Sequence, residues 1–349
     1  MENTAVGDQA LVNNIGNFNT ATGFGSLLNN TSGGANTAVG DRSLQSNTTG
    51  SDNAALGRDA LFNNTTGVQN TAIGRAALSN NTTGPLNTAI GVNALANNNE
   101  GDTNTAVGAN ALEGNTAGGL NIAAGFLALH SNTTGVANTA VGERALLNNT
   151  TGSGSVALGA LAGRNVVTAN NVICIGIGVS GADVIGTTWI GNIFGTTTQN
   201  GTTAPVVVSA DGQLGTAPSS ERFKKDIATM EQASEAILSL RPVTFHYKSD
   251  VNGTPQFGLI AEEVAKVNPS LVVPDNEGKP YTVRYDAVNA MLLNEFLKEH
   301  RKMEQLKKDF ESKLAEQQKQ IESLTAGLQK VSDHLEASKS APQVVLSNR

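Results

Sequence analysis

The most regular feature of the chain is a pattern of short apolar segments that returns every 17 residues. The consensus is N-T-A-[V/I]-G-x-x-A-L-x-N-N-T-T-G-x-x, and its first glycine recurs at Gly23, Gly40, Gly57, Gly74, Gly91, Gly108, Gly125, Gly142 and Gly159. Alternating apolar and polar residues broken by Gly and Asn are typical of strands and turns. We therefore predict strands in which Ala and Val or Ile point inward and Thr outward, with Leu also inside and Asn stacked on Asn at the corners.

The length of the period restricts the architecture. Seventeen residues are too few for a pair of helices, so each repeat is most simply one coil of a parallel β-solenoid. One Leu and one Val or Ile per coil bury too little apolar surface to offset the backbone entropy of the whole coil. We therefore expect ladder hydrogen bonds between neighbouring coils and apolar contacts with partner chains.

The repeats resemble the head repeats of trimeric autotransporter adhesins and related bacteriophage fibre segments. In those proteins, coils of the NTAVGxxAL type form parallel β-rolls packed as trimers, although the usual repeat is shorter. The resemblance covers about residues 3–163 and implies a homotrimeric head or shaft that contacts a cell-surface receptor or glycan. We assign the repeats to residues 1–163, a capping β-segment to 164–200, and a short strand with a flexible connector to 201–218.

Downstream of residue 218 the apolar periodicity becomes that of a small α+β unit, which we place at residues 219–286. Apolar residues spaced along 228–240 predict an amphipathic helix that ends before Pro242. A strand at VTFHY and a strand running into a helix at FGLIAEEVAKV follow. Further strands at LVV and YTVRY flank a turn at Glu277-Gly278.

Residues 286–338 read as one long helix with a heptad pattern, and we place a trimeric coiled coil at 287–338 and a flexible tail at 339–349. Apolar positions separated alternately by four and three residues are the signature of a left-handed coiled coil. Gln317 places one polar group in this seam, which usually specifies register at some cost in stability. The predicted trimer seam comprises Phe310, Leu314, Gln317, Ile321, Leu324, Leu328, Val331 and Leu335.

Charge and composition exclude several classes of function. The net charge is −7, and residues 1–218 carry 5 Arg and no Lys against 11 acidic residues, so neither half offers the basic surface that nucleic acid requires. The single Cys174 excludes an intrachain disulfide framework, and the scattered histidines predict no metal site and no cofactor. No signal peptide or membrane span is visible. Because the chain begins inside a repeat, we expect it to be the C-terminal part of a longer protein or of a particle component that is assembled without secretion.

A second set of motifs begins where the composition changes. SSERFKKDI, FGLIAEEVAKVNPSLV and YTVRYDAV, followed by the heptads, resemble the self-cleaving intramolecular chaperone domain at the C-terminus of phage endosialidase tailspikes, tail fibres and some bacterial surface proteins. The resemblance covers about residues 219–338. The family motif S-D-x-R-x-K implies that Ser219 is the nucleophile and Lys224 the general base. Ser220 stands where the family has aspartate, which affects the expected cleavage rate more than the fold.

A serine hydroxyl attacks a carbonyl only when a neighbouring group accepts its proton, and a neutral lysine can do so. Five residues along a regular helix would point Ser219 and Lys224 about 140° apart. Ser219 therefore lies in an irregular turn, or it meets Lys224 of a neighbouring chain. The scissile bond is Pro218-Ser219 or Ser219-Ser220, and Arg222 is expected to hold a carboxylate or polarise the carbonyl. The alternative is a capped helix start with solvated charges.

These features predict a homotrimeric fibre or adhesin, on a virion tail fibre or at the cell surface, whose C-terminal part drives trimerisation and then releases itself. The main rival is a structural adhesin whose C-terminal unit trimerises and never cuts. A protease for other proteins is disfavoured because no substrate groove is indicated. Evenly spaced Thr rows also suggest an ice-binding solenoid, which the chaperone-like C-terminal motifs disfavour.

Overall fold

The computed structural model describes residues 2–199 and 201–339 and divides into two compact units between Thr203 and Ala204. The first unit is a parallel β-solenoid of about 11 turns, as predicted. Each coil contributes one three-residue strand to a single sheet in which the strands follow chain order. The strands are β1 (Thr4–Val6), β2 (Thr20–Thr22), β3 (Thr37–Val39), β4 (Ala54–Leu56), β5 (Thr71–Ile73), β6 (Thr88–Ile90), β7 (Thr105–Val107), β8 (Ile122–Ala124), β9 (Thr139–Val141), β10 (Val156–Leu158), β11 (Ile173–Ile175) and β12 (Thr188–Ile190).

The solenoid core consists of the small residue at the centre of each strand and the leucine that follows in the same coil. Ala106 and Leu112 are both fully buried, and the equivalent residues of the other coils form one continuous cluster with them. The prediction that Val or Ile points inward is wrong, since Val107 is 39% exposed. Successive side chains of a strand point to opposite faces, so an inward Ala places both of its neighbours on the outer face.

The predicted stacking of asparagines is present, and it forms two buried ladders. In one ladder, Asn47 Nδ2 donates to Asn30 Oδ1 of the preceding coil at 2.7 Å. In the other, the backbone N–H of Asn36 donates to Asn19 Oδ1 at 3.0 Å. The side chains of Asn36 and Asn47 also both donate to the carbonyl of Gly50, at 2.9 Å each. The polar interior of each corner is thus hydrogen-bonded within and between coils.

Two backbone positions explain why the consensus glycine and leucine stand where they do. Gly40 has a φ of 137°, and a Cβ there would lie 2.5 Å from the carbonyl oxygen of Gly57 in the next coil. Only glycine allows so close an approach between coils. Leu44 has a φ of 50°, a left-handed conformation that costs a bulky residue about 1–2 kcal/mol. Full burial of its side chain offsets that cost.

The second unit begins with a hairpin, β13 (Val207–Val208) and β14 (Leu214–Gly215), in the segment where the sequence predicted a short strand and a flexible connector. Two antiparallel strand pairs follow: β15 (Val243–Phe245) with β16 (Gln256–Gly258), and β17 (Val272–Pro274) with β18 (Pro280–Val283). Helix α1 spans Ala261–Val267 and α2 spans Tyr285–Lys339. Short 3₁₀ helices occupy Glu221–Phe223, Glu231–Ser239 and Pro269–Leu271.

A small apolar core organises this unit. Val264 on α1, Leu271 and Val283 are buried, and the first turns of α2 pack against them. The amphipathic helix predicted over 228–240 forms as a 3₁₀ helix that begins only at Glu231. The core thus places the start of α2 beside the strand pairs.

Helix α2 contains 55 residues, and its two ends lie within one residue of the long helix predicted at 286–338. All the positions of the predicted seam are exposed in the single chain, and Leu328 is 71% exposed. The coiled coil itself stays a prediction. Of the predicted tail at 339–349, only the helical backbone of Lys339 belongs to the described residues.

Candidate functional site

Ser219 and Lys224 lie side by side in the second unit. Lys224 Nζ is 3.2 Å from Ser219 Oγ, within hydrogen-bond distance and in the same chain. The sequence left open whether Ser219 lies in an irregular turn or meets Lys224 of a neighbouring chain, and this contact is formed by an irregular turn. The distance suits a proton transfer between the two groups.

The local backbone explains how residues five apart in sequence meet. Ser220 is extended, with φ −64° and ψ 141°, and so is Lys224, with φ −117° and ψ 151°. Between them lies one turn of 3₁₀ helix, closed by N–H to carbonyl bonds from Phe223 to Ser220 at 3.0 Å and from Lys224 to Glu221 at 2.9 Å. A tight turn with extended residues at both ends brings the two flanking side chains to one side, which a continuing α-helix would not do.

The two supporting residues of the motif have different surroundings. Ser220 caps the turn through its backbone position, and its side chain makes no capping hydrogen bond. The guanidinium of Arg222 lies 4.7 Å from the centroid of the Phe223 ring, a cation–π contact. The roles expected for Ser220 and Arg222 in cleavage stay predictions.

The segment that carries the pair is open to solvent in the single chain. Residues 219–229 are all exposed, and Phe223 and Ile227 are 61% and 63% exposed although they are large and apolar. A lysine amine accepts a proton only in its neutral form, which exclusion of water favours. The chemistry would therefore gain from a covering surface that the single chain does not place over these residues.

A buried polar cluster, which the sequence analysis missed, links the 3₁₀ helix at Glu231–Ser239 to α2. Ser234 is fully buried, and its hydroxyl donates to Glu295 Oε1 at 2.5 Å. Asn294 Nδ2 donates to Ser234 Oγ at 2.7 Å and to the carbonyl of Glu231 at 3.1 Å. Lys298 Nζ lies 2.7 Å from Glu295 Oε1. These four side chains hold the two helices together.

The charges of this cluster stabilise each other. Hydrogen bonds from Lys298 and then Ser234 lower the pKa of Glu295 below its usual range. The hydrogen bond to Glu295 raises the pKa of Lys298, which favours an ammonium group and makes Lys298 unsuited to accept a proton. The spacing of Asn294, Glu295 and Lys298 on one helix face was visible in the sequence, but their partner is about 60 residues away.

Within the described residues, no group of three or more His, Cys, Asp or Glu side chains has the arrangement of a metal site. The buried thiol of Cys174 has a pKa raised by desolvation, so it is a poor nucleophile where it lies. None of the described helices combines the length and the apolar character needed to cross a membrane.

Comparison with known proteins finds one match. Residues 219–273 match the family model described as chaperone of endosialidase, and the match begins at Ser219 itself. No curated protein and no solved structure matches the chain. The segment that holds the Ser219–Lys224 pair and the β15–β16 strand pair is thus similar to this chaperone family.

Proposed function

We propose that the protein is a homotrimeric fibre or adhesin whose C-terminal unit is an intramolecular chaperone. In this proposal the chaperone aligns three solenoids and then releases itself by cutting the chain beside Ser219. The released shaft belongs to a virion tail fibre or to the cell exterior, where it contacts a receptor or glycan. The match of residues 219–273 to the chaperone of endosialidase supports the assignment of the C-terminal unit.

The observation that carries the proposal is the contact between Ser219 and Lys224. A nucleophile and a base lie 3.2 Å apart at the first residue of the chaperone match. Downstream of that residue lie the chaperone-like unit and the long helix. A cut there separates the solenoid from the whole of the part that would direct assembly.

The chemistry of the cut is an acyl transfer followed by hydrolysis. Ser219 Oγ attacks the carbonyl carbon of Pro218 while its proton passes to Lys224 Nζ. The amide nitrogen of Ser219 takes that proton and leaves as an amine, so Pro218 becomes an ester of the serine hydroxyl. Water then hydrolyses the ester to a carboxylate and restores the hydroxyl. Attack on the preceding carbonyl passes through a five-membered ring, which favours the Pro218–Ser219 bond over Ser219–Ser220.

The repeat structure explains why such a protein needs an aligning device. From β2 to β11 each coil pairs with its neighbour in the same 17-residue register, as Ala38 pairs with Ala55. Three such solenoids could dock one whole coil out of step with little loss, since every misplaced coil finds an equivalent neighbour. A trimeric helix that assembles first sets the register. Its removal leaves the shaft kinetically trapped.

Two exposed apolar rows support the trimer. The third residue of most solenoid strands is Val, Ile or Leu on the outer face, and Ile73 and Ile90 are each 38% exposed. On α2, the predicted seam is also exposed, and it is apolar except at Gln317. Regular apolar rows that the chain does not bury itself are typical of surfaces that another chain covers. The apolar residues of each row are evenly spaced, so each row can pack against the same row of an identical chain.

A denaturing gel of the full chain tests the proposal. We expect wild type to give fragments of 218 and 131 residues and Ser219→Ala to remain whole. N-terminal sequencing of the smaller fragment should begin at Ser219. An intact wild-type chain after assembly into trimers would contradict self-cleavage.

The second candidate is a structural adhesin whose C-terminal unit trimerises without cutting. It is favoured by the exposure of residues 219–229 and by Ser220 at the position of the family's aspartate. The same gel separates the two candidates, because this one predicts intact trimers for both wild type and Ser219→Ala.

A further inference from the structure

One hydrogen-bond pattern repeats at the corners of six successive coils, whose donors begin at Thr31 and end at Gly118. Three consecutive backbone N–H groups of one coil converge on a single carbonyl oxygen of the next. In one example, Thr116, Ala117 and Gly118 donate to the carbonyl of Thr133 at 2.9, 3.2 and 3.3 Å. Each coil therefore relies on its successor to accept these three bonds.

At the end of the solenoid a carboxylate takes the place of that carbonyl. The N–H groups of Val167, Thr168 and Ala169 donate to Asp183 Oδ1 at 2.9, 2.9 and 2.7 Å. The hydroxyl of Thr168 donates to Asp183 Oδ2 at 3.1 Å. The acceptor has changed from main chain to side chain, while the three donors keep their arrangement.

Other regular features of the coils also change near this end. One asparagine ladder ends at Asn149, because Val166 stands at the equivalent position of the next coil. The buried Asn149 Oδ1 has no hydrogen-bond partner among the described residues. In the strand ladder, Trp189 stands opposite Cys174, at the position that Ala occupies in most coils. The last coil is also shorter, with 15 residues between Gly176 and Gly191 instead of 17.

We infer that Asp183 is the terminator of the solenoid, a side chain of the shortened last coil that takes over the role of the main-chain carbonyl acceptor of the regular coils and closes the polar end of the corner ladder. Without it, three N–H groups would point outward with no acceptor, an open end to which another solenoid coil could add. The N–H groups of Val167, Ala169 and Thr168, together with the Thr168 hydroxyl, hold the pKa of Asp183 at about 2, which keeps the carboxylate charged. This inference is independent of self-cleavage.

Hydrogen exchange on the full chain tests the inference. We compare wild type, Asp183→Ala, Asp183→Asn and the control Asp102→Ala, which removes an exposed solenoid carboxylate that accepts a hydrogen bond from the Thr103 hydroxyl. In Asp183→Ala, exchange at residues 167–169 should rise roughly 10- to 100-fold, as expected for lost bonds to a charged acceptor. The same donors at residues 116–118, whose acceptor is a main-chain carbonyl, should stay protected, and Asp183→Asn should lie between the two.

Chemical rescue distinguishes an acceptor site from a general loss of packing. Formate supplies a free carboxylate, so it should restore protection at residues 167–169 of Asp183→Ala, whereas chloride at equal ionic strength should not. Equal exchange in wild type and Asp183→Ala would overturn the inference. If Asp183→Ala does not fold, Asp183→Leu takes its place and is compared with Asp183→Asn. Wild-type protection of residues 167–169 in Asp183→Leu would overturn the inference. So would a result in which Asp183→Asn protects these residues no more than Asp183→Leu does.

Discussion

Asn81 Nδ2 lies 2.8 Å from Asn64 Oδ1, and both side chains are fully buried between successive coils. Asn98 donates to Asn81 Oδ1 in the same way, also at 2.8 Å. Each amide is thus a donor to the coil before it and an acceptor for the coil after it. A carboxamide has both functions, whereas a carboxylate or an apolar side chain of similar size lacks at least one.

The ladder predicts a large effect from a small change. Asn81→Asp removes the donor to Asn64 Oδ1 and to the carbonyl of Gly84, and each orphaned buried acceptor costs about 1–3 kcal/mol. We expect a lower melting temperature of the solenoid by circular dichroism. The control is Asn80→Asp, the same substitution at the exposed neighbour, which should change little. Equal melting temperatures for the two variants would argue against a structural role for the ladder.

Replacement of Lys224 tests its role as the base. Lys224→Met should slow cleavage about 10²- to 10⁴-fold, the usual contribution of a positioned base. Lys224→Arg should be equally slow, because a guanidinium keeps its proton. Lys225→Met, next in sequence, is the matched control, and a similar loss in that variant would remove the special role of Lys224.

The outer apolar row of the solenoid predicts the surface buried in the trimer. Burial of an Ile side chain contributes about 1.5–3 kcal/mol, so Ile73→Lys with Ile90→Lys should weaken association roughly tenfold or more per position. Sedimentation velocity measures the shift from trimer to monomer. Thr66→Lys with Thr83→Lys adds the same charge at exposed positions away from this row and should leave the trimer intact. A trimer that tolerates both pairs equally would exclude this row as the interface.

The terminal carboxylate predicts an acid dependence of stability with a defined sign. The pKa of Asp183 is about 2 in the folded chain against an ordinary value of 3.8, so folding favours the charged form. Its contribution is complete above about pH 4, and it is lost as the pH falls through the folded pKa. The melting temperature of wild type relative to Asp183→Asn should therefore decrease between these limits. A constant difference across this range would contradict the assignment.

The cluster around Ser234 predicts how the 3₁₀ helix is held on α2. Ser234→Val removes the hydroxyl that Glu295 and Asn294 bind, and leaves buried polar atoms unpaired. We expect limited proteolysis to cut residues 231–239 faster than in wild type, by about the factor of 5–30 that 1–2 kcal/mol represents. Ser239→Val, at an exposed position of the same helix, is the control. Unchanged proteolysis of Ser234→Val would show that apolar packing alone holds this helix.

Several features were predictable because they depend on local or repeated patterns. The period alone predicted the coils, the inward Leu and the stacked Asn, since any residue repeated at one position of a solenoid must stack on its copies. The long helix was predictable from its heptads. The direction of Val and Ile was not, because alternation with period two does not say which face is inside. The interior already holds Leu and two Asn ladders, so it accepts the small Ala of each strand.

The candidate site divides in the same way. The motif around Ser219 predicted which residues matter, but their 3.2 Å separation depends on one tight turn between two extended residues. Ser234 and Glu295 are 61 residues apart in the sequence, and no local sequence pattern predicts a contact over that separation. Asp183 is similarly one acidic residue among others until its position over three N–H groups is seen.

The sequence by itself determined the repeating coil, its period, the identity of its buried ladders and the change of architecture near residue 218. Each of these features depends on residues that are close together in the chain or are repeated at a constant interval. Only the tertiary structure decided which strand face is buried, which side chain closes the last coil, and that Ser219 and Lys224 lie within hydrogen-bond distance in one chain. Those outcomes depend on steric fit and on backbone geometry between segments, which composition and spacing do not specify.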